Sequence, residues 1–392
     1  MALALQAYTF LQQYTEAWLH PAPKKTSNPL RLGVLSSAQI NAAAVIHPVE
    51  THEDVILYAI ASRDASTARL QAKKYSFQKS YGDYQSLLDD PLVDFVYIST
   101  PNGLHYEWAY KALQAGKHVL LEKPFTSNAE EAQKLVEFSQ KSGKILMEAF
   151  HWQFHPAAHH FRQTLDSGEH GKIIRTNARM TASPAVPAGD IRWQYDLAGG
   201  SLMDMTYAMS FTRFALKAHT PKEVLSAHAR TADHDSKVDA AMTADLLFES
   251  GYGYDVVSKI YTDMARSSLL SVIPRLWELP SIEVETEKSK IYFYNAMMPH
   301  IYHYISVTDK ATEKTEYHKY FTGGPQWSKT GRATQPYWST YRYQLEAFVD
   351  KLRGREPAHW VTGEESIDEM KSIDSVYVRS GLPLRPTSAL AK

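Results

Sequence analysis

Lys117-His118-Val119-Leu120-Leu121-Glu122-Lys123-Pro124 is the stretch on which the reading of this chain turns. Its apolar centre, Val119 to Leu121, is continuous rather than alternating, as in a strand covered on both faces. A lysine follows at the carboxyl end of that strand, where open α/β sheets bind their ligands. Pro124 restricts the backbone and removes a donor, so Lys123 sits on a turn. An ammonium held there can polarise a hydroxyl or carbonyl, or exchange a proton with it. The competing reading is an exposed strand-end lysine without chemistry, and the residues upstream weigh against it.

Toward the N-terminus, apolar runs alternate with helical stretches. Leu30–Leu35 reads as a strand, 40–46 as a helix closed by Pro48, Val55–Ala61 as a second strand and 66–75 as a helix. A third strand at 95–99 precedes a helix over 105–115 that Gly116 ends. The opening stretch supplies the fourth strand, 128–142 a helix ended by Gly143, and 145–148 a fifth strand. This alternation predicts βαβ units around a parallel sheet.

After His151 the pattern changes. A helix at 161–167 is followed by strand-like runs at 173–180, 224–231, 241–248, 252–261, 282–284, 290–294 and 302–307. Several lie close together with no helix between them, which predicts an antiparallel sheet. Helices are expected at 341–352 and 364–379. The expected architecture is an α/β, doubly wound Rossmann sheet over 30–150. An α+β domain over 151–392 follows, built on a large, mostly antiparallel open sheet, with its last helices packing back on the first domain.

Length agrees, since 392 residues exceed one typical core. Apolar residues at 44% and charged residues at 22% are ordinary for a globular chain. A net charge of −1 gives no electrostatic footprint for nucleic acid or an anionic membrane. There is no cysteine, which excludes disulfides, thiolate metal sites and cysteine nucleophiles. That composition fits the cytoplasm, the expected location, without requiring it. Residues 1–20 lack the basic start of a signal peptide and suit an amphipathic helix, with a linker to residue 29. No apolar run is long enough to span a bilayer.

The turn after the first strand runs Gly33-Val34-Leu35-Ser36-Ser37-Ala38-Gln39-Ile40-Asn41. A dinucleotide fold wants glycines here, so that amides approach the pyrophosphate at a helix amino end. The three glycine slots hold Ser36, Ala38 and Asn41, and Ser36 and Ser37 add hydroxyls. The second strand ends in Ser62-Arg63-Asp64. Arg63 suits a 2′-phosphate, which favours NADP over NAD. The third strand runs into Thr100-Pro101-Asn102, near the expected nicotinamide. His105 either starts its helix or joins that site.

Together these residues resemble the glucose-fructose oxidoreductase, inositol dehydrogenase and rhizopine-catabolism (Gfo/Idh/MocA) family. The turn at 33–41, the run ending Glu122-Lys123-Pro124, and Gly199-Gly200-Ser201-Leu202-Met203-Asp204 carry the match. Within it the chain resembles a fungal branch similar to NADP-dependent D-xylose 1-dehydrogenases and dimeric dihydrodiol dehydrogenases. The resemblance implies hydride transfer between a nicotinamide and a sugar, polyol or similar pair. It implies that Lys123 contacts the reacting hydroxyl, Asp204 holds substrate, and Glu122 and Pro124 shape the nicotinamide pocket. The family usually has histidine or tyrosine four residues after that aspartate. Here that position is Ala208, and Tyr207 is the nearest substitute, on the expectation of one helix carrying both. Tyr207 reads equally as core.

Other candidates lie at the junction and before the glycine pair. His151 and Trp152 are expected near substrate or nicotinamide, and Arg192 and Trp193 near the pocket. His155 and His159 are four apart, but no carboxylate completes a zinc motif, so no metal is expected. Two further readings stay open. One is a dinucleotide-binding regulator without catalysis. The other is a carbonyl reductase of natural-product tailoring, suggested by Trp152, Trp193 and the tyrosines. An open sheet face predicts a homodimer or higher oligomer. The expected partner is otherwise a small-molecule substrate.

Overall fold

A computed structural model describes residues 11–12, 19–20, 23–270 and 272–392. The helix expected over 1–20 lies mostly outside them. Strands β1 (Leu30–Leu35), β2 (Val55–Ala61), β3 (Lys79–Tyr81), β4 (Phe95–Ile98), β5 (His118–Leu121) and β6 (Leu146–Glu148) form one sheet in the order β3-β2-β1-β4-β5-β6. Every pairing in it is parallel. Strand order reverses between β1 and β4, so their carboxyl ends flank a crevice. Val119, Leu120 and Leu121 are fully buried, and removing each from water contributes about 1.5–3 kcal/mol. Helices Ala65–Tyr75, His105–Gln114 and Ala129–Ser142 make the crossovers. The first crossover opens with a π-type turn, Ala42–Ile46, before His47–Glu50.

The second sheet has eight strands: β7 (Ile173–Thr181), β8 (Glu223–Ala232), β9 (Asp235–Glu249), β10 (Asp255–Asp263), β11 (Ser281–Thr286), β12 (Ser289–Tyr294), β13 (Tyr304–Asp309) and β14 (Thr315–His318), in the order β14-β13-β12-β11-β7-β10-β9-β8. All pairs are antiparallel except β10 with β7. One face is covered by the helices Pro156–Asp166 and Tyr207–Leu216. The other carries a run of tyrosine rings, Tyr292, Tyr294, Tyr302, Tyr304 and Tyr317. The chain then returns to the first sheet. Helix Thr340–Leu352 packs on Ala42–Ile46, with Phe348 5.5 Å from Phe95, and helix Gly363–Ser380 packs on Ala129–Ser142.

Several boundaries differ from the sequence reading. Strand β3 and the helix Tyr84–Leu88 were not expected. Lys79 to Tyr81 is a three-residue edge strand with little apolar signal. The helix expected at 161–167 begins five residues earlier, at Pro156, capped by His155. Strand β9 starts well before 241, because Val238 to Ala240 pack inward at the sheet end. Strand β14 is an exposed polar edge with no hydrophobic pattern. The helix expected to carry both Asp204 and Tyr207 is two helices, Ser201–Asp204 and Tyr207–Leu216.

Candidate active site

Lys123 projects from the end of β5, through a cis peptide to Pro124. Its Nζ donates to the main-chain oxygen of Asp204 at 2.7 Å, and lies 3.5 Å from the Asp204 carboxylate. The carbonyl is the closer partner, so the lysine is aimed by backbone as much as by charge. The Asp204 carboxylate itself accepts from Arg192 Nε at 2.9 Å. Burial alone would raise that carboxyl, but the Arg192 and Lys123 cations outweigh it and hold it down to about 2. Arg192 is tied in turn to Asp190 at 3.1 Å. The glycine pair places this helix. Gly200 has φ of +137°, and a Cβ there would strike the Asp239 carboxylate and the Arg385 guanidinium. Only glycine lets the Ser201–Asp204 turn approach that buried ion pair.

Tyr207 stands over the lysine, its ring centroid 5.3 Å from Nζ. The break at Met205 and Thr206 turns the chain so that the third residue after Asp204, not the fourth, faces Lys123, while Ala208 is fully buried. The Tyr207 hydroxyl meets His151 Nε2 at 2.9 Å. Burial pushes its pKa well up, so it is a phenol at neutral pH. Glu122 is buried and accepts from the Tyr97 hydroxyl at 2.6 Å and from the Lys123 amide. Burial raises its pKa. It stiffens the turn rather than entering the cleft.

At the first turn, Ser36 occupies a backbone region natural to glycine, φ +129°. Hydrogen bonds hold it there. Its hydroxyl pairs with Ser99 Oγ at 2.8 Å, Ala38 N donates back to it at 3.1 Å, and Asn41 Nδ2 donates to its carbonyl at 2.9 Å. Ser99 Oγ closes the ring on Asn41 Oδ1. The Ser36 hydroxyl is therefore engaged inside the fold and unavailable to a phosphate, against the sequence reading. Ser37 Oγ faces Ser62 Oγ at 3.3 Å. Among the described residues the amides of Ser37, Gln39 and Ile40 make no hydrogen bond, and they are the donors left for an anion.

At the ribose end, Arg63 is exposed with no hydrogen bond or ion pair among the described residues. Asp64 is not available beside it, because its carboxylate caps the next helix through Ser66 and Thr67. Those bonds hold its pKa well below the usual carboxylate range. Thr100 Oγ1 is buried without a partner among the described residues, and Asn102 reaches Ala198 O. Orphan hydroxyl, open amides and uncommitted guanidinium, with Pro101 beside them, fit a dinucleotide bearing a 2′-phosphate.

Three expected contacts are not where the sequence placed them. His105 is buried, with Nδ1 2.7 Å from Pro124 O and Nε2 2.9 Å from Thr100 O. Burial pushes it down to about 4, so the ring carries one proton at neutral pH, donates to one of these two carbonyls and only packs against the other, wedged between the two strand-end turns. Trp152 is core, donating to Ser210 and packed against Phe211 and Phe214. Trp193 donates to Val186 and Pro187 carbonyls inside a small separate cluster. His151 is also buried, behind Tyr207. Thr340, its other partner at 2.8 Å, was missed. A contact across 189 residues leaves no periodic trace. Among the described residues no group of histidines and carboxylates is arranged to hold a metal. A cavity of about 220 Å³ lies near Glu148, Ser210, Arg213 and Glu369, and none of Lys123, Asp204 and Tyr207 lines it. No helix of the described residues is long and apolar enough to cross a membrane.

The chain is similar to several known proteins. The oxidoreductase family model with an NAD-binding Rossmann fold matches residues 30–150, and the GFO/IDH/MocA C-terminal domain matches 158–273. A D-xylose 1-dehydrogenase (NADP+) of Haloferax volcanii is 32% identical over 89% of this chain and 96% of its own length. A mouse trans-1,2-dihydrobenzene-1,2-diol dehydrogenase is 29% identical over 67% of this chain and 79% of its own. A solved 3-ketoreductase from Actinomadura kijaniata, in complex with NADP and TDP-benzene, superposes with a TM-score of 0.73 at 26% identity, covering 90% of this chain and 98% of that one.

Proposed function

The chain belongs to the Gfo/Idh/MocA family and is an NAD(P)-dependent oxidoreductase; from that premise we propose that it interconverts a hydroxyl and a carbonyl on a sugar, polyol or vicinal diol, with NADP as cofactor. The observation that carries the reading is the convergence of Lys123, Asp204 and the Tyr207 phenol at the end of β5. The NADP preference rests on the uncommitted Arg63 beside an Asp64 already engaged as a helix cap.

When bound, the nicotinamide supplies or accepts hydride at its C4. The protein's own residues handle the proton and the geometry. Lys123 is aimed by the Asp204 carbonyl and lies 3.5 Å from its carboxylate, which leaves one of its three N–H bonds to hold the substrate oxygen. Tyr207, a phenol at neutral pH, gives a proton to that oxygen in reduction and takes it back in oxidation. Arg192 keeps Asp204 ionised and in place. Gln39 and Ile40 amides take the pyrophosphate, with Ser37 and Ser62 beside them, and Thr100 Oγ1 and Asn102 face the nicotinamide end.

A polar substrate is favoured over a flat hydrophobic ketone. The two indoles that suggested the latter, Trp152 and Trp193, are engaged elsewhere in the fold. The test is absorbance-monitored turnover of NADP+ and NADPH over pentoses, hexoses, vicinal diols and aryl ketones. Turnover with sugars or diols supports the reading. Turnover only with aryl ketones moves the protein to natural-product tailoring, and tight NADPH binding without turnover makes it a regulator. We assign self-association to the tyrosine-bearing open sheet face, where Tyr302 and Tyr317 are 47% and 66% exposed. A monomer in sedimentation velocity at micromolar concentration would remove that assignment.

A further inference from the structure

His151 lies in the turn His151–Phe154 after β6 and is 1% exposed. Its two ring nitrogens each meet a hydroxyl, Nε2 the phenol of Tyr207 at 2.9 Å and Nδ1 the Oγ1 of Thr340 at 2.8 Å. The ring lies 3.9 Å from that of Tyr341. Burial, then the nearby His300 and Lys123, push its pKa well below the ordinary value, so it carries one ring proton at neutral pH. A hydroxyl can donate or accept. The one ring proton can therefore sit at either end without leaving a partner unsatisfied.

We propose that His151 is the positioning residue of the Tyr207 phenol, an imidazole clamped between two hydroxyls whose tautomer decides what the phenol presents to the cleft. This rests on the enzymatic reading above. With the proton on Nδ1, Nε2 accepts the phenol O–H and a phenol lone pair faces the substrate. With the proton on Nε2, the ring donates to the phenol oxygen and the phenol O–H faces the substrate. In reduction the Tyr207 O–H bond breaks and its proton forms the new O–H bond on substrate as hydride reaches the carbon. The electron pair left on the phenolate oxygen is held by Nε2–H, with the Lys123 ammonium over the ring at 5.3 Å from its centroid, until solvent returns a proton. Oxidation runs the same exchange backward. The break at Met205 and Thr206 explains why such a clamp is needed, because a tyrosine at the first position of its helix is not fixed by a preceding turn.

The test pairs kinetics with a readout independent of activity. His151→Ala should lower kcat about tenfold to a hundredfold and leave KM and NADPH affinity within about twofold. His151→Gln, whose amide can still donate to the phenol, should recover part of the loss. Thr340→Val keeps the ring and removes its second partner, and should lower kcat in the same direction if His151→Ala fails to fold. ¹⁵N NMR of ring nitrogens, assigned by loss of the signal in His151→Gln, should show one protonated and one unprotonated nitrogen at pH 7. That pair should shift in Tyr207→Phe and in Thr340→Val. A doubly protonated ring, signals unmoved by both substitutions, or equal loss in Ala and Gln variants would overturn the proposal. If the unaltered protein turns over nothing, the enzymatic reading fails, and the NMR still decides whether the clamp exists.

Discussion

Lys123 Nζ sits 2.7 Å from the main-chain oxygen of Asp204, joining the rim of the parallel sheet to the short helix Ser201–Asp204 of the second domain across 81 residues of chain. A carbonyl cannot be lost by side-chain substitution. The ammonium therefore keeps its direction even where the Asp204 carboxylate is altered. This separates two roles that the sequence merges, with the backbone aiming the lysine while the carboxylate, tied to Arg192 at 2.9 Å, balances charge.

The phenol above that lysine is the second half of the site. Tyr207→Phe removes only the hydroxyl from a well-packed ring. A positioned acid or base is worth about 10²–10⁴-fold in rate, so kcat should fall by that order, with NADPH affinity by fluorescence titration unchanged. A kcat within twofold of the unaltered protein would return Tyr207 to the core.

Cofactor choice should hinge on Arg63. Arg63→Ala should weaken NADPH binding about tenfold, the low end for a charge-assisted contact at an exposed position, and leave NADH affinity unchanged. Calorimetric titration of both cofactors checks it, and equal losses for the two would contradict the assignment. Asp64→Ala should lower Tm through its lost cap without shifting the NADPH to NADH ratio.

The glycine pair leans on Arg385 and Asp239, 2.6 Å apart and both fully buried. Arg385 also donates to Gly199 O, and Asp239 accepts from Tyr377 and Ser201. Removing one partner of a buried pair typically costs about 3–5 kcal/mol. Arg385→Met should therefore lower unfolding free energy by that order in urea titration. A change below about 1 kcal/mol would show the pair to be dispensable.

Stability should fall in mild acid. Burial pushes His52, His105, His151, His155, His159, His300, His303 and His359 downward. Each is near 6.5 when unfolded. Below that pH the unfolded chain binds protons that the folded chain refuses, so the stability these rings contribute is present above about 6.5 and lost as pH falls toward 4. Glu122, Glu131, Glu148, Glu369 and Asp374 are pushed upward and oppose this. The rings outnumber them, so on balance the chain takes up protons as it unfolds in mild acid and stability falls as pH drops below about 6.5. Urea unfolding at pH 7 and pH 5.5 measures it. Equal stability at both would refute the balance of signs.

How much of this was legible in the sequence depended on range. Leu30–Leu35, Val55–Ala61 and the run before Lys123 could be read because strands buried on both faces are continuously apolar. Lys79–Tyr81 and Thr315–His318 could not, since exposed or half-exposed edges carry no such run. Lys123 and Arg192 were nominated from local context and Asp204 from the family resemblance, and the three meet in space. Trp152 and Trp193 were nominated on the same grounds and do not, because an aromatic beside a junction serves packing as readily as binding. The bonds of His151 to Tyr207 and Thr340 span 56 and 189 residues, and nothing local announces them. Ser36 shows the converse. A residue with the wrong shape for its turn is held there by a hydrogen-bond ring that no glycine motif encodes.

The account rests on the amine at the end of β5, and Lys123→Met tests it most directly, since methionine keeps most of the length and none of the charge. Steady-state turnover on the best sugar or diol should fall at least tenfold, the low end for a lost charge-assisted contact, while NADPH binding measured separately stays within about twofold. Turnover near that of the unaltered protein, with NADPH binding intact, would contradict the role assigned to Lys123 and the mechanism built on it.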